Sequence, residues 1–117
     1  SNESAFKLAT IFGMKLGFQD ASPILLEPLM EVEVTTPDEY QGDILGDLNR
    51  RRGQIAGMEN KGAVCILKAN VPLAEMFGYM TALRTVSSGR ASFTMEPSSF
   101  EPVPPAILDK LLGERGY

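Results

Sequence analysis

Histidine is absent from these 117 residues, and cysteine occurs once. Without histidine, a zinc site of mixed ligands and a histidine-based nucleophilic triad are both excluded. The lone Cys65 cannot form an internal disulfide, and its apolar run reads as the setting of a buried free thiol in a reducing compartment. No apolar stretch approaches the roughly 18 residues needed to span a bilayer, and the N-terminus lacks a signal-peptide layout. Glycine is frequent, yet no stretch reads GxxxxGKS or GxxxxGKT and no GxGxxG follows a strand, so a phosphate-gripping loop is missing. Positive charge is also short: 11 Lys and Arg against 15 Asp and Glu give a net charge of −4. A dedicated nucleic-acid domain is usually basic, so any RNA contact must come from a local patch on an acidic body. The expectation is a soluble cytoplasmic chain with no membrane contact, no metal and no catalytic site of its own.

What is present is an ordinary globular composition, 44% hydrophobic, of a length for one domain with at most a piece of another. Ser1 to Ala21 is expected to be one helix capped by Ser4, with Phe6, Leu8, Phe12, Leu16 and Phe18 covering more than one face. Such a helix needs partners on two sides, and we read it as the end of a larger unit. Ser22-Pro23 ends it. Met30 to Thr35 alternates apolar with polar, the mark of a strand buried on one face. Thr36-Pro37-Asp38-Glu39 has the layout of a capping box with proline at the first helical position. Tyr40, Ile44 and Leu48 then share a face, while Gly42 and Gly46 form a stripe where another backbone could approach. Arg50, Arg51 and Arg52 fill the last turn, and Gly53 supplies the terminating residue.

Gln54 to Glu59, a turn at Asn60-Lys61-Gly62 and Ala63 to Val71 make a hairpin. A second helix opens at Val71-Pro72-Leu73, with Leu73, Met76, Met80 and Leu83 inward and Tyr79 and Arg84 off that face. Met58, Met76 and Met80 read as core filler. Ser87-Ser88-Gly89 ends the helix, Arg90 to Glu96 is a strand with Ala91, Phe93 and Met95 inward, and Pro97 to Pro105 is a connector. Pro104 to Gly113 forms a terminal helix, after which the chain frays. The order from Met30 to Glu96 is strand, helix, strand, strand, helix, strand. That predicts an α+β, ferredoxin-like fold with a four-stranded antiparallel sheet and two helices on one face. Its first and third strands are expected to be central and parallel. Its open face would carry Glu31, Glu33, Lys68, Arg90 and Thr94. Domain bounds are placed at 1–26 for the end of a preceding domain and 27–117 for the ferredoxin-like one.

Glu31 and Glu33 share a strand face, but without a cleft or a raised pKa a solvated face suits them better than paired-acid chemistry. The basic helix ends carry more information. Three consecutive arginines point in three directions, so Arg50, Arg51 and Arg52 either cap their helix or offer guanidinium forks to phosphate. Arg84 with Thr85 and Ser88 combines a cation with hydroxyls that suit phosphates and ribose 2′-OH groups.

LLEPLMEVEVTTPDEYQGDILGDLNRRRGQIAGME, VPLAEMFGYMTALRTVSSGRASFTME and VPPAILDKLLGERG closely resemble the C-terminal part of bacterial elongation factor G. The resemblance runs nearly end to end, from the last helix of that family's fourth domain (Ser4 to Phe18) through its fifth domain (Met30 onward). It implies a ribosomal translocase whose GTP and magnesium belong to a GTPase domain far upstream. It also implies contact with the large subunit at the sarcin–ricin loop of its rRNA and the nearby stalk base, and with other domains of the parent protein. The family residues that meet the sarcin–ricin loop match Arg84 and Thr85. A further polar position falls on Ser88, where the family often has a longer side chain. Ribosome-protection proteins and the eukaryotic translocase share the architecture, and a ribosome-recycling paralogue or a mitochondrial form is an alternative assignment. From other classes stand a small-molecule-binding regulatory module and a self-associating scaffold.

Overall fold

The alternation that places Met30, Val32 and Val34 on one side of a strand and Glu31 and Glu33 on the other is the axis of the fold. The computed structural model describes residues 2–114. Its elements are α1 (Asn2–Phe12), β1 (Lys15–Gln19), β2 (Ser22–Pro37), α2 (Gln41–Arg50), β3 (Gln54–Lys61), β4 (Val64–Pro72), α3 (Tyr79–Val86), β5 (Ser92–Pro102) and α4 (Pro105–Glu114). The sheet order is β1-β2-β4-β3, with β5 also paired to β2. The chain divides into two compact units, 1–28 with 99–117, and 29–98.

In the unit 29–98 the expected α+β, ferredoxin-like order is present. The central pair β2 and β4 runs antiparallel from Leu29↔Pro72 to Pro37↔Val64, not parallel as expected. The reason is topological. The crossover through α2 makes β2 and β3 run the same way, and the tight turn at Gly62-Ala63 then reverses β4. Val32, Val34, Leu67, Ala69 and Val71 from the two strands meet Ile44 and Leu48 of α2 and Tyr79 and Leu83 of α3 in one core. Both helices therefore cover one face. On the other, Glu33 lies opposite Lys68 at 4.0 Å, with Glu31, Thr94 and Glu96 nearby. Arg90 is absent from that face: it precedes β5 and pairs with Glu39 at 2.9 Å. Gly42 and Gly46 meet no other backbone, so the small-residue stripe on α2 is not a close-approach surface.

Local chemistry also departs from the pattern at both helix starts. Thr36 is buried and its Oγ1 donates to the carbonyl of Pro37, so the expected capping box does not form. A 3₁₀ turn at Asp38–Tyr40 leads into α2 instead. Before α3, a 3₁₀ turn at Leu73–Glu75 and the left-handed Gly78 (φ +77°) reset the helical phase. In consequence Tyr79, expected outside, is 1% exposed, while Met80, expected inside, is 61% exposed. Met76 is buried but Met58 is exposed, so only one of those three methionines is core filler. Met95, expected inward, is also exposed.

The unit 1–28 with 99–117 holds two corrections. The helix expected to reach Ala21 stops at Phe12. Gly13 takes φ +68°, and β1 pairs antiparallel with the first half of β2 from Lys15↔Leu26 to Gln19↔Ser22. Asp20 and Ala21, both at positive φ, form the two-residue turn. Ser4 is thus inside the helix, and β2 starts eight residues before Met30. Likewise the proline-rich stretch after Glu96 continues β5 to Pro102, and Val103 N–H donates to the carbonyl of Leu25. α4 falls where the terminal helix was expected; the fraying expected at the end of the chain lies largely outside the described residues.

Candidate nucleic-acid interface

Two helices end in the same backbone device, and each presents basic or hydroxyl side chains at it. At the end of α2, Arg52 N–H donates to Asn49 O and Gly53 N–H to Leu48 O at 2.9 Å, while Arg52 sits at φ +58°. That is a Schellman closure whose left-handed residue is Arg52, one position earlier than the expected Gly53. At the end of α3, Gly89 N–H donates to Arg84 O at 2.8 Å, and Ser88 holds φ +53°. A side chain in that conformation costs roughly 1 kcal/mol relative to glycine. Ser88→Gly is therefore expected to raise the unfolding free energy by about 1 kcal/mol. If the Ser88 hydroxyl touches RNA, the same variant binds RNA less well although it is more stable, which a denaturation curve and a binding isotherm together will show.

The three arginines of α2 do different work. Arg50 is exposed and pairs with Asp47 at 3.3 Å, a surface contact worth little. Arg51 turns inward: its Nε donates to Asp47 Oδ2 at 2.9 Å, and its Nη1 donates to the carbonyls of Glu75 (2.6 Å) and Phe77 (3.2 Å). Its guanidinium also lies 5.0 Å from the ring centre of Tyr79. Arg52 pairs with Glu75 at 3.1 Å. Two of the three are thus committed to the turn that precedes α3. The phenol of Tyr79 is pushed up to about 12 by burial and by the nearby Asp47 carboxylate, with Arg51 opposing.

The exit of α3 is built otherwise. Arg84 and Thr85 are exposed, as is Ser88, and Arg84 makes no salt bridge among the described residues. Ser87, one residue away, is fully buried: its Oγ donates to Leu83 O at 2.7 Å and accepts from Ala91 N–H at 3.1 Å. These bonds tie the helix exit to the approach to β5 and frame the connection from Ser87 to Ala91. A shallow groove of about 230 Å³ beside Arg84 is lined by Met80, Leu83, Gly89, Ala91 and Phe93. The geometry brings Arg84, Thr85 and Ser88 together. It does not bring Arg51 and Arg52 to them, because those anchor the entry of α3, roughly 8–13 Å away along the axis at about 1.5 Å per residue. Sequence reasoning missed the latch role of Ser87, since a buried serine within a polar run looks like loop. It also missed Glu75, whose pairing with Arg52 spans 23 residues.

A sequence model of the family described as "Elongation factor G C-terminus" matches residues 24–111. An "Elongation factor G" of Aquifex pyrophilus is 53% identical over 115 residues, covering 98% of this chain and 16% of that protein. A crystal structure from Thermus thermophilus is 42% identical and superposes with a TM-score of 0.74, covering 83% of this chain and 15% of that one. The chain thus spans about a sixth of the relatives it matches. Among the described residues no helix is long and apolar enough to cross a membrane.

Proposed function

The chain belongs to the elongation factor G C-terminus family, and from that premise we propose that it is a ribosome-docking module whose α3 exit grips large-subunit rRNA. The parent protein would be a GTPase that promotes translocation of tRNA and mRNA in protein synthesis, with GTP and magnesium held by its upstream domain. The sequence has no phosphate loop, and among the described residues no three acidic or thiol side chains converge to hold a metal. The contact sites on the ribosome would be the sarcin–ricin loop and the stalk base. Residues 1–26 would close the preceding domain, and 27–117 would form the docking domain.

One observation carries the reading. Arg84 is an exposed guanidinium without a carboxylate partner among the described residues, in the last turn of α3, next to the exit that the Ser87 bonds frame, with Thr85 and Ser88 beside it. A guanidinium fork beside hydroxyls, carried on backbone that the Ser87 bonds hold, suits phosphate and ribose. Arg50, exposed at the end of α2, is a secondary candidate for RNA contact.

The 117-residue chain titrated with an RNA hairpin carrying the sarcin–ricin loop tests this. Arg84→Ala should weaken binding by about 1–3 kcal/mol and flatten the dependence on log salt by roughly one unit. Wild-type affinity and slope in a folded Arg84→Ala chain would remove Arg84 from the interface.

A further inference from the structure

We propose that Arg51 is a positioning residue for the RNA-binding exit of α3, acting through the turn at which that helix starts; this rests on the reading above. The phase of α3 is set at Phe77-Gly78, where the left-handed Gly78 (φ +77°) immediately precedes the first helical residue. That phase decides which side chains face out. With Tyr79 and Leu83 inward, Arg84 is exposed. A rotation by one residue, about 100°, would exchange Tyr79 for Met80 and carry Arg84 off its present bearing.

The turn is closed across Gly78 by the Tyr79 N–H bond to Met76 O at 3.1 Å, and Arg51 braces it from another helix. Its one Nη1 binds two carbonyls of the turn, those of Glu75 and Phe77, while its Nε binds Asp47. The flat guanidinium also lies over Tyr79, whose ring meets Phe93 edge-on at 4.9 Å. A planar donor fork with three acceptors and an aromatic face fixes both the position and the rotation of the turn. A lysine ammonium, a point charge without a plane, cannot reproduce that set. Arg52, by pairing with Glu75, holds the preceding residue pair. The arginine run therefore splits its labour: its second member aims the recognition helix and does not itself touch RNA.

The test uses the full chain and the same hairpin, with Arg51→Met, Arg51→Lys, Arg84→Ala and the double variant Arg51→Met/Arg84→Ala. Arg51→Met should bind about tenfold more weakly, and Arg51→Lys, which keeps the charge beside Asp47 and guards against loss of fold, about threefold. In the Arg84→Ala background, Arg51→Met should change neither affinity nor salt slope, because the residue it positions is gone. A further tenfold loss there, with the slope falling again by roughly one unit, would mean that Arg51 contacts phosphate directly and would overturn the proposal. So would wild-type binding in folded Arg51→Met and Arg51→Lys. Amide exchange reads the turn without RNA: Arg51→Met should speed exchange across 77–83 at least tenfold and leave β4 unchanged. If the wild-type chain binds no hairpin, the docking function fails, while the exchange result still decides whether Arg51 holds the turn; unchanged exchange refutes it.

Discussion

Tyr79→Ala is expected to lower the unfolding free energy by about 3–5 kcal/mol, the usual range for emptying a large aromatic site. Tyr79 is the largest fully buried side chain among the described residues, 1% exposed, packed edge-on against Phe93 and covered by the Arg51 guanidinium. Its removal opens a cavity between α3 and the sheet and strips a face from Arg51. For a domain of this size that is a large share of the typical 5–15 kcal/mol of total stability. Tyr79→Phe should behave oppositely. The hydroxyl has no hydrogen-bond partner among the described residues, so losing it is expected to be neutral or stabilising by up to about 1 kcal/mol. The phenol adds a pH signature. With its pKa pushed up from 10.0 to about 12, the folded state holds the proton more tightly than the unfolded state. The associated stability is full below pH ~10 and is lost as pH rises toward ~12, by up to about 2–3 kcal/mol. Urea denaturation against pH should show this alkaline fall in the wild-type chain and a smaller one in Tyr79→Phe. Equal falls in both would remove Tyr79 as its source.

Gly53→Ala should destabilise the fold by about 2–3 kcal/mol, although Gly53 is not the left-handed residue of its turn. A Cβ built there would lie 2.7 Å from the Leu48 carbonyl oxygen and 3.2 Å from Val71 Cγ2. The oxygen cannot retreat, because it accepts the Gly53 N–H at 2.9 Å and closes α2. The only relief is to push α2 off β4, which loosens Leu48 and shifts the Arg51 anchor with it. Gly57→Ala is the control: nothing lies within 4 Å of a Cβ at that position, and its effect should stay within about 0.5 kcal/mol. Chemical denaturation decides the case by a lowered midpoint at constant slope for Gly53→Ala alone. Similar midpoints for the two variants would show that α2 and β4 have room to part.

The sheet axis, the order of elements and the family motifs were legible in the residues themselves. Alternation in Met30–Thr35 and apolar spacing in Tyr40, Ile44 and Leu48 are local signals, and burial obeys them because a strand or helix can hide only one face. Arg84 was read as exposed, but from a face of α3 that held Met80 inward and Tyr79 outward, and the structure has those two the other way round. The first hairpin was not: its turn is Asp20-Ala21, which has no glycine to announce two positive φ values, so Leu16 and Phe18 passed for helix. The antiparallel course of β2 and β4 was legible, since the expected crossover followed by a hairpin already implies it; the parallel expectation did not follow from that order.

What the sequence alone determined is which faces are apolar and where basic side chains gather, since both depend on neighbours a few positions away. Tertiary structure alone decided which of three adjacent arginines turns inward and which way α3 is rotated. Those outcomes depend on carbonyls at Glu75 and Phe77, 24 and 26 residues beyond Arg51, and on the left-handed Gly78 at the start of α3.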